Sequence, residues 1–292
     1  MTNYNWLFYA LLAVLAYGWI DFSYKVAAHK KINSHQLLQT STLVTAILAF
    51  VLFLLEGNFK TNYILACVFA IFDATFFALS TLAKIEALKK LHVALAFPII
   101  KLSTIFVLLF SLVWFHENLN KFQWIGLGVI VLVFGLLWLE IRKGQKHNLI
   151  MTSKSGIWLA SFAALMLAGS MISNKFATEY VNKFLFMFVS FTLTTTLFTI
   201  KNKFLVRNSS SIKKNTGFYY LATTIGALNA LGFYFILKAL ELGKLGIVQG
   251  ILSTSLAPSI IFSALFLKEK LSLAQIGIVV FACIAIFLLK YQ

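Results

Sequence analysis

Four ionisable side chains stand inside otherwise apolar runs of this sequence: Asp21, Lys25, Asp73 and Lys101. A charge in an apolar setting is costly unless it is paired or used, so each is a candidate for binding, proton carriage or both. Lys25 has a plain structural reading, because it stands near the end of its run and its stem can reach an interface. Asp21 precedes it by four residues, which places the two on one helix face and allows a local pair. Asp73 and Lys101 read as deeper. At about 1.5 Å per residue, both fall near the middle of their runs and differ in depth by roughly 5 Å. An antiparallel hairpin of the third and fourth runs would make them neighbours, either as a static ion pair or as part of a ligand cavity.

Uncharged polar residues converge on the same depth. Gln249, Ser253, Thr254 and Ser255 precede Pro258; Asn229 lies near Gly232; Ser170, Ser173 and Asn174 fall in a sixth run. Singly, such side chains bond their own backbone or tie helices together. Facing one axis, they suit a hydrated cavity, which Tyr17, Trp19 and Tyr24 could wall with aromatic surface. Simple packing competes as the reading for those three rings. The many phenylalanines read as lipid-facing. Gly126, Gly128, Gly135 and Gly277 read as sites of close helix packing. Glu117 and Glu269 stand in short connections ahead of helices, where a carboxylate complements the positive helix end, and are read as structural. The histidines show no metal-ligand spacing, and Cys67 and Cys283 read as inert, buried thiols. No cofactor or metal is expected.

The elements that must position these groups follow from hydropathy. The chain is 60% hydrophobic and 12% charged, against about 45–50% and 25% in soluble domains, and its mean hydropathy is +0.88. That is a polytopic membrane protein. Ten apolar runs are predicted as spans, over 5–27, 34–55, 62–86, 91–114, 121–141, 155–177, 181–200, 216–238, 245–267 and 271–290. The net charge of +16 sits in the connections and does not indicate nucleic acid, since no basic helix is interleaved with exposed aromatics. Leaving out Lys25 and Lys101, sixteen basic residues fall on one side and seven on the other, which places both termini outside the cytoplasm.

The sequence also repeats. A shift of 152 positions lays Ala87 on Ala239, Ser103 on Ser255, Glu117 on Glu269, Leu119 on Leu271 and Gln123 on Gln275. The units are 1–141 and 155–292, joined by a basic linker at 142–154. Because each unit has five spans, an odd number, the second is inverted relative to the first. Gly18 to Lys25 in the first run, Ala168-Gly169 to Lys175 in the sixth, and Pro258, Glu269 and Gly277 at the end resemble the EamA-like ten-helix branch of the drug/metabolite transporter superfamily. Glu117 and Gly126 match the same signature in the first half, where Phe106 replaces the proline. The resemblance implies an all-α integral membrane protein of ten transmembrane helices in two inverted five-helix repeats, without enzymatic activity.

It further implies secondary transport of a small polar metabolite by alternating access, with efflux across a bacterial inner membrane favoured. Mixed acidic and basic groups favour an amino-acid-like zwitterion, held by Asp73, Lys101, Asp21, Tyr17, Trp19, Tyr24, Asn229, Gln249, Ser253 and Ser255. The alternatives are an exchanger of anionic or phosphorylated metabolites, using Lys101 and Lys25, and a non-transporting scaffold subunit. The absence of a G-x-x-x-x-G-K-[ST] loop leaves an ion gradient or counter-substrate as the energy source. For protons, Asp21 or Asp73 is the expected carrier. The expected partners are the substrate and membrane lipid, for a monomer or a homodimer and with no nucleic acid.

Overall fold

A computed structural model describes residues 5–30, 32–91, 99–143, 154–205, 216–268 and 273–290. These residues form α1 (Asn5–His29), α2 (Ser34–Glu56), α3 (Tyr63–Lys90), α4 (Ser103–Trp114), α5 (Lys121–Lys143), α6 (Lys154–Tyr180), α7 (Lys183–Leu205), α8 (Thr216–Leu242), α9 (Leu245–Leu252), α10 (Leu256–Leu267) and α11 (Leu273–Leu289). Among the described residues, seven helices are long and apolar enough to cross a membrane, counting the broken rod Leu245–Leu267 as one. Ile99–Trp114, Lys121–Leu136 and Gln275–Leu289 are shorter apolar helices. The chain is an all-helical, multi-pass membrane protein.

Asparagines start several of these helices. Asn33 accepts from the amides of His35 and Gln36 at 3.0 and 3.3 Å, and Asn62 from that of Leu65 at 3.0 Å. Asn120 and Gln123 cap each other reciprocally at the start of α5, at 2.8 and 3.1 Å, filling two donors that a helix start leaves open. The α2 helix stops at Gly57, whose φ of +65° suits a residue without Cβ. Pro258 cannot donate to the carbonyl four residues back and crowds it. The chain accordingly tightens into a 3-10 turn over Ser253–Ser255 between α9 and α10. Pro98 and Glu269 lie outside the described residues.

Contacts between helix ends define two ends of the bundle. At one, Lys183 pairs with Glu241 and Asn182 bonds Glu56; we call it the Glu56 end. At the other, Gln39 bonds Thr199 and Gly156 abuts Leu91; we call it the Lys90 end. The α3 helix lies along α6 and against α7, and α1 lies along α8 and α10. The α2 helix packs on α7 and α8, α5 on α11, and α4 on α9 and α6. This corrects one expectation from sequence: α3 and α4 do not form a closely packed hairpin.

Small residues permit the closest approaches. A Cβ on Gly18 would come within 2.6 Å of Pro258 Cβ, and one on Gly226 within 2.6 Å of Val44 Cβ and 2.7 Å of the Ser41 carbonyl. Gly226→Ala should therefore lower stability by about 1–3 kcal/mol, read as a fall in the thermal midpoint of purified protein. Gly128→Ala is the matched control. Gly128 and Gly135 have open space at the Cβ position, so they do not serve close packing within the chain as expected, whereas a Cβ on Gly126 would meet Leu289 at 3.0 Å. Cys67 and Cys283 are exposed, not buried, which in an apolar span means a lipid-facing side.

The phenylalanines also divide. Phe186, Phe191 and Phe233 are buried with Met187, Leu237 and the small faces of α2, α3 and α6. Phe191 meets Phe233 edge-on at 5.1 Å, and Phe184 stacks on Tyr234 at 5.1 Å. They form an aromatic plug toward the Glu56 end and are not lipid-facing filler. A second core joins α1, α4, α5, α6, α8, α9 and α11 in the same half of the bundle, around Trp6, Leu240, Leu245 and Ile251. Toward the Lys90 end the apolar clusters are smaller and separate. One holds Ile20, Leu37, Phe218 and Ile225, and the other Ala83, Ala87, Ile100 and Ala160.

Candidate functional site

Asp73 lies on the eleventh residue of α3 and is 3% exposed. Ser170 of α6 donates to its Oδ1 at 2.5 Å, and Ser190 of α7 donates to its Oδ2. No ion pair joins Asp73 to Lys101 among the described residues. The expected pairing is corrected: depth alone made the two look adjacent, but α3 turns its acid toward α6 and α7. Ser173 completes this seam by donating to the Phe69 carbonyl at 2.9 Å.

A second polar hub mirrors the first. Asn229 of α8 accepts from the Tyr17 hydroxyl of α1 at 3.2 Å and donates to Thr45 of α2 at 3.3 Å. Thr45 is fully buried and lies 3.0 Å from the carbonyls of Ser41 and Gly226. Tyr24, two turns beyond Tyr17, lies near the Ser41 hydroxyl. In each hub one polar side chain on the third or eighth span is held by side chains from two other spans. Tyr17 is within electrostatic reach of both Asp73 and Asp21.

Toward the Lys90 end a charged cluster forms. The charges acting on Asp21 are those of Lys84 and Lys101, and Lys101 in turn feels Asp21 and Lys84. Packing explains the meeting: Ile100 seats against Ala83 and Ala87 of α3, which carries the following Lys101 to the level of Lys84. Asp21, Tyr17, Tyr24, Lys84 and Lys101 all remain partly exposed. Two and three residues after Lys101, the hydroxyls of Ser103 and Thr104 are buried, at 1% and 5% exposure, and have no hydrogen-bond partner among the described residues. An unmet buried hydroxyl costs about 1–3 kcal/mol, so a polar group reaching either one would relieve that cost.

Several expected ligands are not brought to this cluster. Trp19 meets Phe262 and Phe266 edge-on at 4.8 and 5.3 Å, so it knits α1 to α10. Ser253 and Thr254 each donate back at 2.6 Å to Gly250 and Ile251, stabilising the break. Gln249 and Ser255 are buried in the same rod.

Sequence reasoning missed Lys84, because it precedes the basic pair Lys89-Lys90 and was counted with it. It missed Ser103 and Thr104, which adjoin an already chosen residue, and Ser190, which stands alone in an apolar stretch. It also gave Lys175 no role beyond the family resemblance. Lys175 is buried, donates to the Leu240 carbonyl at 2.7 Å at the end of α8, and pairs with Glu179 at 3.4 Å. Glu117 takes the amides of Leu245 and Gly246 at 2.5 and 3.1 Å. It therefore caps α9, the start of the ninth run, and not the helix that follows it in sequence.

At the Glu56 end two clefts open outward, of about 350 and 460 Å³. The first is lined by Glu56, Lys60, Asn182, Lys183, Tyr234 and Lys238, and Glu179 borders both. Glu241 holds Lys183 at 2.8 Å and Lys238 at 3.0 Å. The aromatic plug lies between these clefts and Asp73.

No curated relative matches the chain. Among the solved structures similar to this chain, one crystal structure shares 14% identity over 97% of this chain and 94% of that one, at a TM-score of 0.73; the likeness shows the fold alone. The sequence model of the EamA-like transporter family matches twice, over residues 4–139 and 154–291. With both halves matched, the chain belongs to the EamA-like transporter family, whose members are membrane transporters and not enzymes.

Proposed function

We propose that the protein is a secondary transporter of small carboxylate-bearing zwitterions, with amino acids as the favoured class. The observation that carries this reading is the cluster of Asp21, Lys84 and Lys101 together with the unpartnered hydroxyls of Ser103 and Thr104. A carboxylate fits the two ammonium groups and the hydroxyls, and an ammonium fits Asp21 and the Tyr17 and Tyr24 rings. Two lysines against one aspartate also favour a second reading, a substrate with net negative charge. A scaffold role explains neither the partly exposed charges nor the unmet hydroxyls.

In this reading the chain crosses the membrane ten times, as two inverted repeats over 1–141 and 155–292. The packing supports it: exchanging each span for the one five later turns the α3–α6 contact into α8–α1 and the α2–α8 contact into α7–α3. Transport proceeds by alternating access in a bacterial inner membrane, with efflux as the direction and the basic Lys90 end in the cytoplasm. The test is uptake and counterflow in proteoliposomes across radiolabelled amino acids, dicarboxylates and phosphorylated metabolites. Accumulation of amino acids alone is the expected result. Preference for the dianions selects the second reading, and no flux of any panel member overturns transport of these classes.

A further inference from the structure

The acid most deeply buried in the bundle is not part of the charged cluster, and its setting differs in kind. Asp73 has one hydroxyl donor on each oxygen, from Ser170 and Ser190, and among the described residues it has no cationic partner. We propose that Asp73, Ser170 and Ser190 form a proton-binding site, separate from the substrate cluster, at which one proton is taken up and released per transport cycle.

The groups facing Asp73 from each neighbouring helix leave this acid to itself. On α6 the nearest cation is Lys175, which is committed to the Leu240 carbonyl and to Glu179. On α7 no ionisable residue lies between Lys183 and Lys201. From α1 comes the Tyr17 phenol, which does not neutralise a carboxylate. On α3 itself, Lys84 is eleven residues away, roughly 16 Å along the axis. An uncompensated carboxylate at 3% exposure is costly in a low-dielectric interior, and one proton removes the charge.

The serines suit both states, because a hydroxyl donates and accepts. With the carboxylate ionised, both serines donate, as observed. With a proton bound, one hydroxyl accepts it and turns its own hydrogen to a carbonyl one turn back along its helix, so that neither state leaves a polar atom orphaned. A metal ion fits less well. Hard cations take several oxygen ligands, and the nearby Phe69 carbonyl already accepts from Ser173. The site lies between the aromatic plug and the hydroxyl of Tyr17, so a proton bound here sits where the sealed end meets the substrate cluster. The coupling role rests on the transport reading above; the proton-binding site does not.

Infrared difference spectroscopy of the protein in liposomes, titrated between about pH 5 and 9, tests it. The wild type should show the carbonyl stretch of one protonated carboxyl that disappears on alkaline titration. The band should persist in Asp21→Asn, vanish in Asp73→Asn, and be indifferent to replacing choline chloride by sodium chloride. The Ser170→Ala/Ser190→Ala variant should move the midpoint by about one pH unit, which keeps the test open if Asp73→Asn does not fold. A band that survives in folded Asp73→Asn, a midpoint unmoved by loss of both serines, no titration at all, or removal of the band by sodium would each overturn the proton site. A silent substrate panel would overturn the transport reading instead and leave the titration standing.

Discussion

Lys101→Met should cut amino-acid flux by at least about thirtyfold while leaving the protein folded. Truncating one partner of a charge pair that the bound substrate buries costs about 2–5 kcal/mol in recognition, and about 1.4 kcal/mol is tenfold. Lys101→Arg keeps the charge and should retain a measurable part of the rate. Asp21→Asn should match Lys101→Met, because the two charges act on one another. The stability cycle of Asp73→Asn with Lys101→Met has a different expected outcome. With no ion pair between them, the two substitutions should add within about 0.5 kcal/mol. The measurements are flux in proteoliposomes and thermal midpoint in detergent for each single and for the double. Flux within threefold of wild type in folded Lys101→Met would remove Lys101 from the substrate site. Strong rescue of stability in the double would restore the Asp73–Lys101 pair.

That mistaken pair marks where sequence stops being legible. A run of apolar residues states that a helix crosses a membrane and at what depth each side chain sits. It does not state the direction in which the side chain points around the bundle. Asp73 and Lys101 share a depth, but α3 turns its acid to Ser170 and Ser190 while the start of α4 turns Lys101 to Lys84 and Asp21. The same gap hid the aromatic plug. When every face of a helix is apolar, hydropathy cannot separate a phenylalanine facing lipid from Phe186 or Phe233 facing the core. What carries a local signal of its own is legible: an asparagine ahead of a helix start, as at Asn33 and Asn62, and Pro258 after the 3-10 turn. The contact of Tyr17 with Asn229 is legible in kind, because a polar group in an apolar span must be answered by another. Lys175 was masked by its place at a helix end, where the solvated reading is ordinarily sufficient.

Cysteines placed at Lys84 and at Met187 should report opposite accessibilities. In a background lacking Cys67 and Cys283, so that the placed thiol is the only one, a membrane-impermeant thiol reagent should label Lys84→Cys from the cytoplasmic side and leave Met187→Cys untouched from both. The expectation follows from how apolar burial is distributed. Toward the Glu56 end two large cores close across most of the helices, and Met187 is 0% exposed within one of them. Toward the Lys90 end the two clusters stand apart, on α1, α2 and α8 and on α3, α6 and the turn before α4, and Lys84 on α3 is partly exposed. Exposed Lys60 and Lys90 supply the controls: Lys60→Cys should label from outside and Lys90→Cys from inside, as the excess of basic residues at the Lys90 end requires. The reverse pattern at the controls would invert the orientation and leave the sealed end facing the cytoplasm. Labelling of Met187→Cys in resting protein would show that the plug does not close the Glu56 end. Substrate added in excess should then slow modification of Lys84→Cys, because its carboxylate would occupy the space beside Lys101 that the reagent must enter.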